Sequence, residues 1–177
     1  MHKQTMVTED TPSGSDIDTF TLNTNEGESY WVADTIVTLK AAPETTDGSF
    51  ALAEELRPPE SGPPLHVHKA EDELFYIVEG MVKFCLDGEI TTVGDRSSVY
   101  IPKGTPHTFF IVGDEPARIL TTYQPLGFQN YFKAVGDPTD EKELPPELIE
   151  EHLPKLEKEA EGHNLEYVGP PLPELED

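Results

Sequence analysis

Two of the six histidines in this chain of 177 residues, His66 and His68, stand one residue apart in the stretch HVHKAEDELFYIVEG. On a helix, where each residue advances about 100°, their rings would point about 200° apart and could not share a ligand. On a strand, residues i and i+2 lie on one face, so both imidazoles can converge on one small object. The stretch therefore reads as a strand. Lys69 to Asp72 is polar enough to be a turn, and Glu73 begins the next strand. If the two strands are neighbours, Glu73 aims at the same interior point. A third imidazole, His107, opens a strand after PKGTPH, in which Pro102 and Gly104 shape a tight turn. Three imidazoles and one carboxylate form a mixed nitrogen and oxygen donor set suited to one divalent ion of Fe, Mn, Ni, Co, Cu or Zn. In an octahedral centre such a set leaves two positions open to water, oxygen or substrate. A lone buried histidine is more often a hydrogen-bonded core residue than a ligand, but three at these spacings beside Glu73 reverse that preference. Glu71 and Asp72 read as solvated turn acids, and His2, His152 and His163 as exposed side chains with no assigned role.

The elements that must position these groups are short β runs between turn signals. From Phe20 to Tyr123 they are YWVADTIVTLK, SFALAEEL, ELFYIVEG, MVKFCL, EITTV, SVYIP, HTFFIV and ARILTTY. Strands so closely spaced predict an all-β sandwich or barrel. Asp87-Gly88 supplies the positive φ angles of a two-residue hairpin turn. The prolines of RPPESGPP cannot donate ladder hydrogen bonds, so that segment is a loop or edge delivering the chain to His66. After Pro125, GFQNYFKAVG predicts a short helix, and LPPELIEEHLPKLEKEAEGH a longer one kinked or divided at Pro154. LEYVGPPLPELED reads as a short extended piece and a Pro-rich tail. The resulting division is a flexible N-terminal arm over 1–18, a barrel over 19–126 and a helical and extended arm over 127–177.

The formal net charge of -23, from 35 acidic and 12 basic side chains, repels phosphate backbones and anionic lipid surfaces, so no nucleic-acid or membrane partner is expected. Residues 137–177 alone carry 14 acids and 3 Lys. The excess also suits a protein kept soluble in concentrated salt. The opening residues carry no signal-peptide pattern, and no apolar run is long enough to span a membrane, which points to a cytoplasmic protein. Cys85 is the single cysteine; it excludes an internal disulfide and reads as a buried core thiol. Arg118 reads as a surface partner for an acid, and Tyr30, Trp31, Phe50, Phe75, Tyr76, Phe109 and Phe110 as packing or dimer contacts. SYWVADTIVTLK is a long apolar strand whose edge must be covered by a second copy or by the protein's own arm, and a homodimer is expected on that ground.

HVHKAEDELFYIVEG and PKGTPH together resemble the two halves of the cupin signature: His-x-His, four residues, Glu, six residues and Gly, then Pro-x-Gly-x-x-His. Through ELRPPESGPPLHVH, PARILTTYQPLGFQNYF and LEYVGPPL, the chain is similar to the single-domain cupins grouped with quercetin 2,3-dioxygenases, over about Trp31 to Leu172. The resemblance implies a cupin jelly-roll (double-stranded β-helix) barrel with a short C-terminal helical arm. It assigns His66, His68, Glu73 and His107 as metal ligands, with a small-molecule substrate and O2 as partners. It suggests a metal-dependent dioxygenase acting on a small aromatic or enolic compound, flavonols included. Glu73, beside the reacting centre, would also take the substrate's hydroxyl proton as general base. A non-catalytic small-molecule-binding cupin and a metal-dependent isomerase are the alternatives. The chain departs from the family pattern at Gly62, four residues before His66, at Gly94, eight before Pro102 where six is usual, and at Ile111, where an Asn is usual.

Overall fold

Apolar and polar residues alternate along short runs, and that period of two is what a strand with one buried face requires. The computed structural model describes residues 18–175; nearly all of the arm expected over 1–18, with His2, lies outside the described residues. The strands are β1 (Glu28–Val32), β2 (Thr35–Ala41), β3 (Leu52–Arg57), β4 (Pro64–His68), β5 (Asp72–Glu79), β6 (Met81–Leu86), β7 (Glu89–Val93), β8 (Ser98–Ile101), β9 (His107–Val112), β10 (Ala117–Gln124), β11 (Asp137–Thr139) and β12 (Leu165–Pro171). The helices are short: α1 (Pro43–Thr46), α2 (Gln129–Val135), α3 (Leu153–Ala160) and α4 (Leu172–Leu175). Two antiparallel sheets, of order β11-β1-β2-β3-β10-β5-β8 and β12-β4-β9-β6-β7, face one another as a jelly roll.

Between the sheets, the rings of Phe75, Phe84 and Phe109 form a triangle with centroids 5.5 to 5.6 Å apart. Ile77, Val82, Ile111 and Ile119 surround it and are fully buried. Ile111, the departure from the family pattern, is thus a core residue. A second cluster gathers Val37, Leu39 and Tyr123 of the sheet under Phe128, Tyr131 and Phe132 of the following segment. Edge and tilted ring contacts at 4.7 to 6.2 Å tie Tyr123 and Phe132 to Phe128 and to each other. Cys85 is buried, Asp87 and Gly88 adopt φ of 50° and 84° in the β6–β7 turn, and Arg118 pairs with Glu54 at 2.9 Å.

Several expectations change. SYWVADTIVTLK is not one strand but the β1–β2 hairpin, turned at Ala33, whose φ is 56°. The free edge of β1 is paired by β11 from the chain's own arm, with Tyr30 opposite Pro138. The edge that pointed to a second copy is therefore covered from within. The long helix is also shorter than expected: residues 144–149 carry no helix, a 3-10 turn at Glu150–His152 follows, and α3 begins at Leu153. Pro154 sits in the first turn, where its missing N–H costs nothing, so it starts the helix instead of kinking it. His152 is not exposed but fully buried. Its Nδ1 accepts from the Ala33 N–H at 3.1 Å, and its Nε2 lies 3.2 Å from Asp137. It clasps the arm to the β1–β2 turn. His163 is half-buried against the Tyr131 ring. Among the described residues no helix is long and apolar enough to cross a membrane.

Gly62 shows why RPPESGPP needs a glycine. The loop runs along β9, with the Glu60 N–H donating to Ile111 and the Ile111 N–H to Ser61, and a Cβ at position 62 would stand 1.9 Å from the Phe109 carbonyl oxygen. Gly62→Ala must push the loop off β9, and we expect an overpacking cost of about 1–3 kcal/mol. Urea denaturation of the variant checks it; an unchanged midpoint would show that the loop yields freely.

Candidate metal centre

β4 places His66 and His68 on one face, as period two demands, and His107 opens β9 directly beside them, since His66 and His107 are register partners. Glu73 arrives differently from the sequence expectation. β4 and β5 are not neighbours: β4 belongs to the five-stranded sheet and β5 to the seven-stranded one. Residues 69–71 cross between the layers, and Glu73 meets the histidines across the sandwich. The outcome is the expected convergence by another route. One donor atom from each of His66, His68, Glu73 and His107 lies within 4.8 Å of all the others, and all four residues are buried.

Backbone contacts set the ring orientation. Nδ1 of His66 faces the Pro64 carbonyl at 2.8 Å, and Nδ1 of His107 faces the Thr105 carbonyl at 2.9 Å. A carbonyl only accepts, so each Nδ1 carries the proton and each Nε2 keeps its lone pair, the usual preparation of a metal-ligating imidazole. Nε2 of His107 lies 2.7 Å from Oε2 of Glu73, and Nε2 of His68 lies 3.4 Å from Oε1. Yet Oε2 of Glu73 and Nε2 of His107 are buried without hydrogen-bond partners of acceptable geometry. Lone pairs facing one another at this separation call for a cation between them, so the donor set fits a divalent ion. Without an ion the offset to burying the Glu73 carboxylate is proton sharing with His68 and then His107, which holds Glu73 below its ordinary value and, against burial, raises His107. An ion at the same point would take over that role and leave the imidazoles neutral. Burial, reinforced by His107, lowers His66 to about 3, so its imidazole stays neutral.

Glu71 is a correction: it is only 4% exposed, with Oε2 at 3.9 Å from Nδ1 of His68. The crossover between sheets turns it inward behind that ring, too far for a hydrogen bond, and both its Oε2 and Nδ1 of His68 are buried without a partner. Asp72 stays near the surface but is tied down, accepting from the Tyr100 hydroxyl at 2.8 Å and the Lys103 N–H at 2.9 Å.

The cluster opens on a cavity of about 200 Å³. Phe75 and Phe109 contribute from the barrel, while Phe128, Tyr131, Phe132 and Tyr167 come from the segments after it. The Tyr131 hydroxyl donates to the Leu156 carbonyl at 2.9 Å and lies 3.0 Å from that of Tyr167, which locks the arm over the mouth. These arm residues escaped sequence reasoning, as did a charged pair on the cavity wall. Glu55 is 1% exposed, with Arg57 Nη2 at 2.7 Å and Nε at 2.9 Å from its Oε2. The Thr121 hydroxyl donates to its other oxygen at 3.0 Å. One signal was available: in ALAEELR, period two puts Ala51, Ala53, Glu55 and Arg57 on one face.

Comparison with known proteins follows the same lines. A family model described as a cupin domain matches residues 53–123. The quercetin 2,3-dioxygenase of Bacillus subtilis is 27% identical over 132 residues, which cover 75% of this chain but 39% of that protein. This chain thus spans well under half the length of that relative. A predicted oxalate decarboxylase from Thermotoga maritima superposes with a TM-score of 0.55 at 18% identity, covering 59% of this chain and 97% of that one. The polyketide cyclase RemF from Streptomyces resistomycificus gives 0.52 at 21% identity, covering 75% and 86%. At such identities the two structures speak to the fold alone.

Proposed function

Because the chain belongs to the cupin superfamily, we propose that it is a metal-dependent dioxygenase acting on a small aromatic or enolic compound. The observation that carries the reading is the convergence of His66, His68, Glu73 and His107, the first three of which line a cavity walled by aromatic rings. The similarity to a quercetin 2,3-dioxygenase over 75% of the chain supports it. A divalent ion held by the four residues supplies a Lewis acid for a substrate oxygen. The remaining work belongs to the chain. The rings of Phe75, Phe109 and Phe128 exclude water and pack against a flat substrate. Glu73, held ionised, accepts the proton of the substrate hydroxyl. The cavity volume favours a compound of one ring or a short enol, because sites for larger drug-sized ligands run to about 300–1,000 Å³. A three-ring flavonol fits only with part of it at the mouth.

The test is oxygen uptake by protein reconstituted with Fe, Mn, Co or Ni and given dihydroxybenzoates, diketones and flavonols. Uptake is expected with the smaller compounds, and Glu73→Gln should lower it by about 100-fold or more, beyond any loss of metal. Tight binding of these compounds without uptake under any metal would sink the dioxygenase reading and leave a non-catalytic binding protein.

A further inference from the structure

The cavity holds two donors for which the proposed chemistry gives no use. Arg57 is a cation on a wall that also carries Asp34, Glu55 and Glu73 among its rings and aliphatic side chains. A guanidinium has five N–H groups. Nε and Nη2 engage Glu55, and Nη1 donates to the Thr35 hydroxyl at 3.3 Å. One N–H on each terminal nitrogen is left without a protein acceptor among the described residues. The Phe109 ring lies 4.8 Å from the guanidinium carbon and closes one of its faces. Glu55 and Thr35 hold the group still, so its unspent fork is preorganised. Tyr123 stands opposite Glu73 in the β5–β10 register and lines the same cavity. Its hydroxyl makes no hydrogen bond among the described residues. A phenol is protonated at neutral pH, so it is available as a donor.

Donors held still on a cavity wall bind an incoming acceptor at little ordering cost. We infer that Arg57 and Tyr123 form a second recognition point in the cavity, and that its ligand carries two oxygen functions. One is a hydroxyl that reaches the histidine cluster, and the other is a carbonyl or carboxylate oxygen that accepts from Arg57 and Tyr123. The inference rests on the reading of that cluster as a metal site. A planar compound with an acyl group next to its hydroxyls satisfies both points at once, whereas a bare diol satisfies only the first. Arg57 and Tyr123 thereby set specificity.

Calorimetric titration of the metal-loaded protein with catechol, 2,3-dihydroxybenzaldehyde and 2,3-dihydroxybenzoate tests this, and the last two separate a neutral from a charged acceptor. At least one acyl compound should bind about 10-fold tighter than catechol, the gain from one well-placed hydrogen bond to a charged group. Arg57→Lys keeps the charge beside Glu55 but loses the fork, and Tyr123→Phe removes only the hydroxyl. Each should cut the acyl advantage about fivefold while leaving catechol binding within about twofold, a split that general damage to the fold does not produce. An acyl advantage that is absent from the wild-type protein, or that survives both substitutions, overturns the second recognition point. Loss of catechol binding together with an empty elemental analysis instead overturns the metal reading beneath it.

Discussion

Purified without added metal, the protein will carry about one divalent ion per chain, and His107→Ala will carry almost none. His107 is fully buried, its Nδ1 is spent on the Thr105 carbonyl, and its Nε2 has only the Glu73 carboxylate in front of it. Alanine there removes a donor and leaves Glu73 with only His66 and His68 near it, one ligand short. His66→Ala should have the same effect, because its Pro64 contact prepares its Nε2 in the same way. Elemental analysis of the three proteins gives the answer, and full metal content in both variants would end the ligand assignment. Stability supplies a second reading. An ion that binds only the folded chain adds about 2.7 kcal/mol when its free concentration is 100 times Kd. A chelator should therefore lower the melting temperature of the wild-type protein and leave that of His107→Ala unmoved.

Glu55→Gln will cost about 3–5 kcal/mol of stability, the range for removing one partner of a buried ion pair. The substitution keeps the shape of the side chain and deletes the charge that balances Arg57. The Gln amide oxygen can still accept from Arg57 or from Thr121, but without charge, so the guanidinium is left with the Thr35 hydroxyl and Asp34 as a longer-range counter-charge, and the Thr121 donor loses a charged acceptor. Arg57 is 15% exposed through the cavity, so water softens the loss towards the lower end of that range. Glu55→Gln combined with Arg57→Met removes both charges and should recover most of the loss, since a buried pair is rarely worth more than apolar residues of its size. Urea midpoints of the single and double variants check this. A single variant within about 1 kcal/mol of wild type would mean that the pair is already solvated through the cavity and holds nothing together.

How much of this was legible from the chain varies with the kind of information. The side-by-side histidines, the hairpin at Asp87-Gly88 and the buried Cys85 follow from local rules. Period two assigns residues to faces, and Asp-Gly accepts positive φ wherever it occurs. Those rules act over a few residues, so the order of residues is enough to apply them. The departures share one cause. Pro154 read as a kink because the run around it looked helical, but residues 144–149 take no helix, only a 3-10 turn precedes α3, and the proline falls in its first turn. Glu71 read as a solvated acid because it lies in a polar stretch, but that stretch turned out to be a crossover between sheets.

By itself, the sequence determined which side chains stand together on each strand, and thus that His66 and His68 share a face with a carboxylate and a third imidazole ready in other runs. Tertiary structure alone decided what meets what. It set Glu73 in the opposite sheet, buried His152 against Ala33 across 119 residues, paired β11 with β1, and brought Tyr131 and Tyr167 over the cavity. Glu55 and Thr121 meet across 66 residues for the same reason. A face is imposed by bond geometry within one strand, whereas a meeting between distant strands is the outcome of packing and polar satisfaction summed over the whole chain.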